Sequence, residues 1–481
     1  MAFYNPNQKL KKWLIHHHKF VICSLIFIII YCLISLINHY NFRTNAFDLG
    51  IFNQTVYHYA HGQIKPNTIR GVDNLLGDHF EFMLIFISPL YWIFKSYTLL
   101  VFQILMFFFG SLGIYLFIKL KTRNIKLAFL ASLLFYLFFG VYDALSFDYH
   151  NNAAGIMLLP WLLYFFASKR LKLYFLILVV FLLFKENLSL IAMFLGAGLF
   201  LFQPKRYKWV GFVTLVASLL YFILIIGLVI PNLNQNQHYY YLSPYQNQIW
   251  PQTFSAKELI KFILNFLIQL FNHPVKLRMW ILFIFTGGLF VFFNKRLLLL
   301  LVPVLIQKFY SDQPNYWGHQ FQYSVELAVI VPTSAVLFIY HYLYRYKILA
   351  RSLAVFLIFS NCFILSRIHF YDQRQINLLF RSNHYQRPIQ RSVLIQALSL
   401  IPEHASVSAQ NTLVPHLANR EQIYLLPQIN QASFIIINLN DERVWPLVSQ
   451  DDLVQLKNNL VNQNQYQTIF SQNQVYVFSR N

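Results

Sequence analysis

Long apolar stretches recur along most of this chain, and they constrain its fold more than any other feature. The first stretch, Phe20–Ile37, follows a basic segment, Lys9–Lys19. About 20 consecutive apolar residues are needed for an α-helix to cross the hydrocarbon core of a bilayer. Only 11% of the residues are charged, whereas soluble domains carry about 25%. The sequence therefore predicts an all-α polytopic membrane protein.

The positive charge of the chain indicates membrane topology rather than nucleic-acid binding. The formal net charge is +21, and a soluble protein with this surplus would be expected to bind nucleic acid. Here the lysines and arginines cluster in short segments between apolar runs, as in cytoplasmic loops, so we expect no nucleic-acid partner. The three cysteines, Cys23, Cys32 and Cys362, lie in apolar runs and indicate neither a disulfide framework nor a metal site.

The basic clusters also predict the domain organisation, because they place the loops on alternate sides of the membrane. We expect a cytoplasmic N-terminal segment (residues 1–19) and a membrane domain of about eleven spans (residues 20–365). Two long external loops cover residues 38–97 and 231–276. Residues 366–481 are much less apolar and predict a small extracytoplasmic α/β domain.

Two segments of these external loops predict helices that lie at the membrane interface. Phe80–Phe94 is apolar but short, with Pro89 in its middle, and predicts an interfacial or re-entrant helix. Ala256–Phe271 is amphipathic, which is typical of interfacial helices. For the C-terminal domain we expect helices at 391–400 and 451–459 and strands at 405–409, 423–426, 434–438, 466–470 and 475–478.

Acidic residues and histidines collect at the external ends of the predicted spans. The positive-inside rule does not require this, since acids contribute little to orientation. Ionisable groups at membrane depth are costly and are usually functional, and a converging set suits a divalent metal or general-base chemistry. The set comprises Asp48, Asp73, Asp78, His79, Glu81, Asp143, Asp148, His150, Lys185, Glu186, Asp312 and His319.

Asp48 is the strongest candidate for a catalytic residue. It lies just beyond the first apolar run, in N-A-F-D-L-G-I-F-N-Q. A carboxylate at the membrane face could take a proton from an acceptor hydroxyl. It could instead bind Mg²⁺ or Mn²⁺ to neutralise a departing phosphate. The alternative is that Asp48 caps a helix, because an apolar-periodic run follows it.

Two further motifs pair an aspartate with a histidine. Asp78 and His79 precede the first interfacial segment, where both could bind substrate; the alternative is that Asp78 merely caps a helix. Asp148 and His150 are two residues apart, and in an extended loop they would point the same way, as metal ligands do. The alternative for this second motif is a polar loop tip.

The remaining candidates would contact substrate. Lys185 and Glu186 interrupt an apolar stretch, and since neighbouring residues on a helix do not face each other, each needs a partner elsewhere. Lys185 or Arg70 could offset the charge of a phosphate. His319 lies beside Tyr316 and Trp317, so it could bind substrate or belong to an interfacial aromatic belt.

In their order along the chain, these motifs resemble those of the bacterial membrane family catalogued as domain of unknown function 2079 (DUF2079). The resemblance covers nearly the whole chain. The matching pieces are F-D-L-G-I-F-N-Q (Phe47–Gln54), G-D-H-F (Gly77–Phe80), Ser88-Pro89-Leu90, F-D-Y-H-N (Phe147–Asn151) leading to Pro160, F-K-E-N (Phe184–Asn187), I-P-E-H-A-S-V-S-A-Q-N (Ile401–Asn411) and P-H-L-A-N-R (Pro415–Arg420).

That family is in turn similar to the C-type glycosyltransferase (GT-C) superfamily, whose multi-span members take a sugar from a polyprenyl-phosphate carrier. The resemblance implies a GT-C-like fold and places Asp48 at the position of the catalytic acid, in the first external loop. Many members of the superfamily carry an acidic pair there. Here Leu49 follows Asp48, so the pair is absent and Asp78 is the candidate for the second acid.

The resulting hypothesis is a bacterial cell-membrane glycosyltransferase acting on the external face. Its donor would be a polyprenyl-phosphate-linked sugar, and its acceptor a cell-envelope glycan or lipid held by the C-terminal domain. Asp48 would be the base or a metal ligand with Asp148 and His150. Two alternatives stay open: a transporter or flippase of an envelope lipid, and a non-catalytic membrane scaffold.

Overall fold

The computed structural model describes residues 15–234, 238–251, 253, 255–368, 379, 382–386, 391–462 and 464–481, so most of the predicted cytoplasmic segment lies outside the described residues. The described chain is mostly helical. Its helices of eight residues or more are α1 (His18–Tyr40), α2 (Ile51–Ala60), α3 (Thr98–Thr122), α4 (Ile125–Tyr136), α5 (Phe139–Ser146), α6 (Leu159–Ala167), α7 (Leu171–Phe184), α8 (Leu188–Phe202), α9 (Lys205–Leu224), α10 (Ala256–Gln269), α11 (Pro274–Phe285), α12 (Lys295–Phe309), α13 (Leu327–Phe338), α14 (Lys347–Arg367), α15 (Arg391–Ser399) and α16 (Gln450–Asn462).

Shorter helical segments connect these helices, and several of them flank the site described below. They are Ala46–Gly50, Leu75–Gly77, Met83–Ile87, Ser88–Leu90, Tyr91–Phe94, Lys95–Tyr97, Asn151–Gly155, Ile156–Leu158, Ile225–Val229, Ile230–Leu233, Tyr240–Tyr245, Gly288–Phe293, Pro314–Trp317, Ile339–Leu343, Ser382–Tyr385 and Val414–Leu417.

Four helical stretches in the described part of the chain are long and apolar enough to cross a membrane: His18–Tyr40, Met83–Thr122, Lys205–Leu233 and Lys347–Arg367. The pair α4 and α5, bent by 41°, would make a fifth if it forms one span. Shorter apolar helices lie between them. A helical membrane protein is thus confirmed, whereas the count of about eleven spans stays a prediction. Most of the segment predicted as an interfacial helix, Phe80–Phe94, belongs to the second of these stretches and leads into α3.

Glycine allows the backbones of α8 and α9 to touch. A Cβ atom on Gly211 would lie 2.2 Å from the Phe200 nitrogen, and one on Gly196 would lie 2.4 Å from the Leu215 nitrogen. Small residues are typical where membrane helices approach this closely. This contact fixes the second half of α8 against α9, and residues of both helices line the candidate site.

Helix α10 is the amphipathic segment of the second long loop. The Ser255 side chain caps its start by accepting a hydrogen bond from the Glu258 amide. Leu259, Ile263 and Leu267 are exposed along it. An uncovered apolar face on an amphipathic helix suits the membrane interface, as the sequence predicts.

The C-terminal domain contains a five-stranded sheet in the order β2-β1-β3-β5-β4, and its predicted α/β character is confirmed. Strand β1 pairs in parallel with β2 and β3, while β5 pairs antiparallel with β3 and β4. The strands are β1 (Val407–Ala409), β2 (Ile423–Leu425), β3 (Phe434–Asn438), β4 (Tyr466–Gln472) and β5 (Val475–Arg480).

The C-terminal domain packs directly on the first loop (residues 38–97). Residues of both regions belong to one continuous apolar core, among them Leu49, Phe52 and Val414. The contact is tight at Gly50, where a Cβ atom would lie 2.8 Å from a methyl group of Val414. The turn that carries Asp48 is therefore supported from the domain side.

Candidate active site

A cavity of about 620 Å³ lies where the first loop meets the turn between α7 and α8, helix α12 and the segment after α9. These elements are far apart in the sequence, so the sequence does not show that they are close in space. Most of the predicted site residues line this cavity: Asp48, Arg70, Asp78, His79, His150, Lys185 and Glu186. Asp148 and His319 are not among its lining residues.

Asp48 faces the cavity from a short helical turn, Ala46–Gly50, that leads into α2. Its Oδ2 atom lies 2.6 Å from Nε2 of His150. Among the described residues, His150 is the one hydrogen-bond partner of this carboxylate, which remains 32% exposed. The side chain makes no capping bond to the helix that follows. The acid therefore does not serve as a helix cap.

The surroundings keep Asp48 ionised. Burial by itself raises the pKa of the Asp48 carboxyl. The charge and hydrogen bond of His150, together with the charges of Lys185 and His79, lower the pKa below its usual value. Opposite charges nearby favour the charged form of a carboxyl group. An ionised and partly exposed carboxylate is suited to accept a proton from a substrate.

His150 is fixed from behind so that its ring can hold Asp48. Its backbone amide donates to the Gln103 side chain at 3.0 Å, and its ring stacks on Phe147. Gln103 in turn donates to the carbonyl of Asp148 at 2.9 Å. A single glutamine of α3 thus orders the whole F-D-Y-H turn.

Asp78 is held by a cation rather than capping a helix with its side chain. Arg70 donates to both of its oxygens, at 3.0 and 3.1 Å, and the hydroxyl of Tyr241 lies 3.2 Å from each oxygen. Bidentate arginine–carboxylate pairs of this kind are strong and directional. The Arg70 guanidinium also lies 5.9 Å from the centre of the Phe47 ring, beside Asp48.

Lys185 and Glu186 have different partners, as the sequence predicts for two neighbouring residues. The Lys185 ammonium lies 3.2 Å from the Glu81 carboxylate, and Lys185 retains access to the cavity. The Glu186 carboxylate is 1% exposed. It lies 2.6 Å from Nδ1 of His79 and accepts from the Phe80 amide and from the Tyr239 hydroxyl. Glu186 thereby anchors the G-D-H-F motif to the start of α8.

Asp148 and His319 bind other residues and do not line the cavity. The backbone of Asp148 is left-handed, with φ of 57°, and its carboxylate accepts from the amide and side chain of Asn45 at 2.8 and 3.3 Å. His150, two residues later, binds Asp48 instead. His319 lies 3.3 Å from Asp143 and does not line the cavity. Within the part of the chain that the structure describes, no three His, Cys, Asp or Glu side chains are grouped to hold a metal ion.

Residues 38–477 match a family model described as predicted membrane protein (DUF2079). The chain belongs to this family. No curated protein matches this DUF2079 protein. Among solved structures it is similar to the oligosaccharyltransferase of Archaeoglobus fulgidus, crystallised with a tethered acceptor peptide containing the NVT sequon. The sequence identity is 12% and the TM-score 0.49, with 97% of this chain and 74% of that chain covered.

Several residues of the DUF2079 site carry weak signals in the sequence. Glu81 belongs to the external acidic set but suggests no partner until Lys185 is placed beside it. Tyr239 and Tyr241 lie in a tyrosine run of the second long loop, which is their only signal. Lys308 is a single cation near the end of apolar α12, and a charge at such a position is usually functional. It lines the cavity together with Glu326.

The lining of the cavity combines two kinds of chemistry. Part of it consists of the ionisable groups described above. Another part is apolar and includes residues of α8, α9 and α12. These are Leu190, Met193, Phe194, Phe222, Pro303, Val304 and Ile306. A ligand with a charged head and an apolar tail fits such a division, because each part meets groups of its own kind.

Proposed function

We propose that this DUF2079 protein transfers a sugar from a polyprenyl-phosphate carrier to an acceptor of the cell envelope, on the external face of the bacterial cell membrane. The observation that carries this proposal is the state of Asp48. It is a partly exposed carboxylate, whose surroundings hold its pKa below the usual value, in a cavity that also presents Arg70 and Lys185. A base beside two cations is the combination that transfer from a phosphate leaving group requires.

Asp48 acts as the general base in this reaction. Its carboxylate accepts the proton of the acceptor hydroxyl as the hydroxyl oxygen bonds to the anomeric carbon of the sugar. The bond from that carbon to the phosphate oxygen breaks, and its electron pair leaves with the carrier phosphate. His150 holds the carboxylate at 2.6 Å and stabilises its orientation toward the acceptor.

The positive groups of the cavity receive the leaving phosphate. Lys185 faces the cavity beside Glu81, and Arg70 lines it while bound to Asp78. Cations placed where negative charge develops lower the barrier to bond breaking. The apolar wall formed by α8, α9 and α12 accommodates the first part of the polyprenyl chain, since that surface would otherwise be exposed to solvent or lipid headgroups.

The acceptor approaches from the C-terminal domain. Trp445 of that domain is 51% exposed, and its ring lies 5.1 Å from Phe47, which lines the cavity next to Asp48. An exposed aromatic ring offers a large rigid surface for contact with a ligand. We therefore place the acceptor between Trp445 and Asp48.

The expected Mg²⁺ or Mn²⁺ has no ready donor set in the described residues. Of the three predicted ligands, Asp48 and His150 bind each other and Asp148 binds Asn45. A hard divalent cation requires several oxygen ligands, so we assign no step to a metal. The metal requirement stays a prediction, and adding a chelator or a metal salt to the assay measures it.

The test compares the purified protein with two matched variants, Asp48→Asn and Asp73→Asn. Asp73 is an exposed acid of the same loop and does not line the cavity. Each protein is incubated with radiolabelled polyprenyl-phosphate sugars, membrane lipid extract and either Mg²⁺, Mn²⁺ or EDTA. We expect label transfer or carrier release by the wild type and Asp73→Asn, and a loss in Asp48→Asn. Equal behaviour of all three folded proteins would remove Asp48 as the catalytic residue, and the absence of transfer in all three would favour transport or a scaffold role instead.

A further inference from the structure

We propose that Asn411 of the C-terminal domain is a positioning residue for Asp48. The inference rests on the proposed function, because it gives a role to a residue that acts through the catalytic turn. Asn411 follows strand β1 in the segment S-A-Q-N and is 6% exposed. It lies far from Asp48 in the sequence but contacts the turn that carries it.

Both ends of the Asn411 amide are used on this turn. The backbone amide of Ala46 donates to Asn411 Oδ1 at 2.9 Å. Asn411 Nδ2 donates to Oδ1 of Asn45 at 3.1 Å. Ala46 lies two residues before Asp48, so these bonds fix the backbone from which the carboxylate projects. A primary amide supplies both a donor and an acceptor, and here each is used on the same turn.

The same turn is held from the membrane side through Asn45. The amide and side chain of Asn45 both donate to Asp148, and Asp148 lies two residues before His150. Asn45 therefore links the turn of Asp48 to the turn of its histidine partner. The chain Asp148–Asn45–Asn411 joins three motifs that are widely separated in sequence. A catalytic group held in this way keeps its geometry because its supports are themselves fixed.

Asn411 is itself anchored at the carboxyl ends of the parallel strands. The neighbouring Gln410 accepts from the Asn438 amide at 2.9 Å, and the Thr412 hydroxyl donates to Asp441. Arg443 binds Asp441 and donates to the carbonyl of Phe42 at 2.7 Å. In open α/β sheets this edge is the usual place for a ligand. Here it is occupied by the first loop, so the domain supports the turn that carries Asp48.

The test uses Asn411→Ala, Asn45→Ala and a matched control, Asn440→Ala. Asn440 lies at the same edge of the sheet, but its side chain bonds to Asn438 and Asn473 and not to the first loop. Hydrogen–deuterium exchange of the segment 42–50 is measured in the full-length protein. This readout does not depend on any enzymatic activity. Peptides from strand β3 report whether the C-terminal domain remains folded.

We expect faster exchange in segment 42–50 for Asn411→Ala and for Asn45→Ala, with unchanged exchange in β3 and no effect in Asn440→Ala. Transfer should fall about 10²-fold in kcat with little change in KM, since a displacement of about 1 Å has an effect of this size. Unchanged exchange in segment 42–50, or faster exchange with unaltered kcat, would overturn the proposal. If the wild type shows no transfer, the proposed function fails, while exchange still decides whether Asn411 holds the turn.

Discussion

Two acid–histidine pairs line the same cavity. Their contact distances are equal, but the two acids differ in exposure and in the number of their hydrogen-bond donors. Asp48 with His150 and Glu186 with His79 both have a contact of 2.6 Å. Glu186 is 1% exposed and also accepts from the Phe80 amide and the Tyr239 hydroxyl. Asp48 is 32% exposed, with His150 as its one hydrogen-bond partner among the described residues.

The difference separates an acid that stabilises the structure from one that can react. A carboxylate that accepts from three donors is stabilised in its charged form and has little acceptor capacity left for a ligand. Removing a partner from such a group leaves buried polar atoms unpaired, which is costly. A carboxylate with one partner and an exposed edge can still bond to a substrate. Mutations of the two acids should therefore separate activity from stability.

The largest expected effect is on activity, in Asp48→Asn. We expect transfer to fall about 10²–10⁴-fold, because a general base contributes a factor of this size. The melting temperature should change little, since Asp48 makes one side-chain bond that an amide can largely replace. Label transfer and thermal unfolding are measured on the same preparation. A variant that unfolds at a much lower temperature would instead place Asp48 with Glu186 as a structural acid.

Glu186→Gln should show the opposite pattern. The amide keeps the shape but loses the charge that His79 and two further donors contact. Hydrogen bonds to charged groups contribute about 1.5–3 kcal/mol each, so we expect the free energy of unfolding to fall by at least about 2 kcal/mol. Thermal or denaturant unfolding measures it. Intact stability combined with complete loss of transfer would show that Glu186 acts in the reaction itself.

The sequence predicts the chemistry of this site better than its pairings. The acidic and basic candidates could be identified because charges are rare in an apolar chain. The sequence therefore identifies Asp48, Asp78 and Glu186 as candidates. Their partners could not be identified, since contacts such as His79 to Glu186 depend on how helices pack. The role of Asp148 also depends on packing, because its left-handed backbone and the position of Asn45 are properties of the fold.

The predictability of the fold follows a similar division. The sheet strands could be predicted within a few residues, because alternating and β-branched runs such as Phe434–Asn438 are local signals. The spans are harder, since membrane helices here are bent, as between α4 and α5, or too short to cross alone. The contact between the C-terminal domain and the first loop has no local signal. It depends on side chains such as Asn411, which belongs to a motif of the family but gives no sign in the sequence of the partner that it contacts.

Tyr239→Phe is a smaller change than Glu186→Gln and tests how much one donor contributes to the stability that Glu186 provides. It removes the hydroxyl that donates to Glu186 at 2.7 Å but keeps the ring. The other two donors remain, so we expect a loss of about 1.5–3 kcal/mol at most in the free energy of unfolding. The loss should be smaller than in Glu186→Gln when both are measured by denaturant unfolding. A larger loss would mean that the loop containing Tyr239, rather than the carboxylate, provides most of the stability.

The smallest expected effect is that of low pH on transfer by the wild type, as far as it depends on Asp48. His150, Lys185 and His79 lower the pKa of its carboxyl below the usual value despite burial, which raises it. Because the carboxylate is the active form, Asp48 should cause no loss of transfer between about pH 8 and about pH 5.

His150→Gln removes the largest of the lowering influences and leaves burial in place, so the pKa of Asp48 should rise. The ratio of kcat at about pH 5 to kcat at about pH 8 should then fall below that of the wild type. A pH–rate profile of both proteins measures this ratio, with Tyr239→Phe as the control because Tyr239 does not touch Asp48. An unshifted profile in a folded His150→Gln protein would remove His150 as the group that keeps Asp48 ionised.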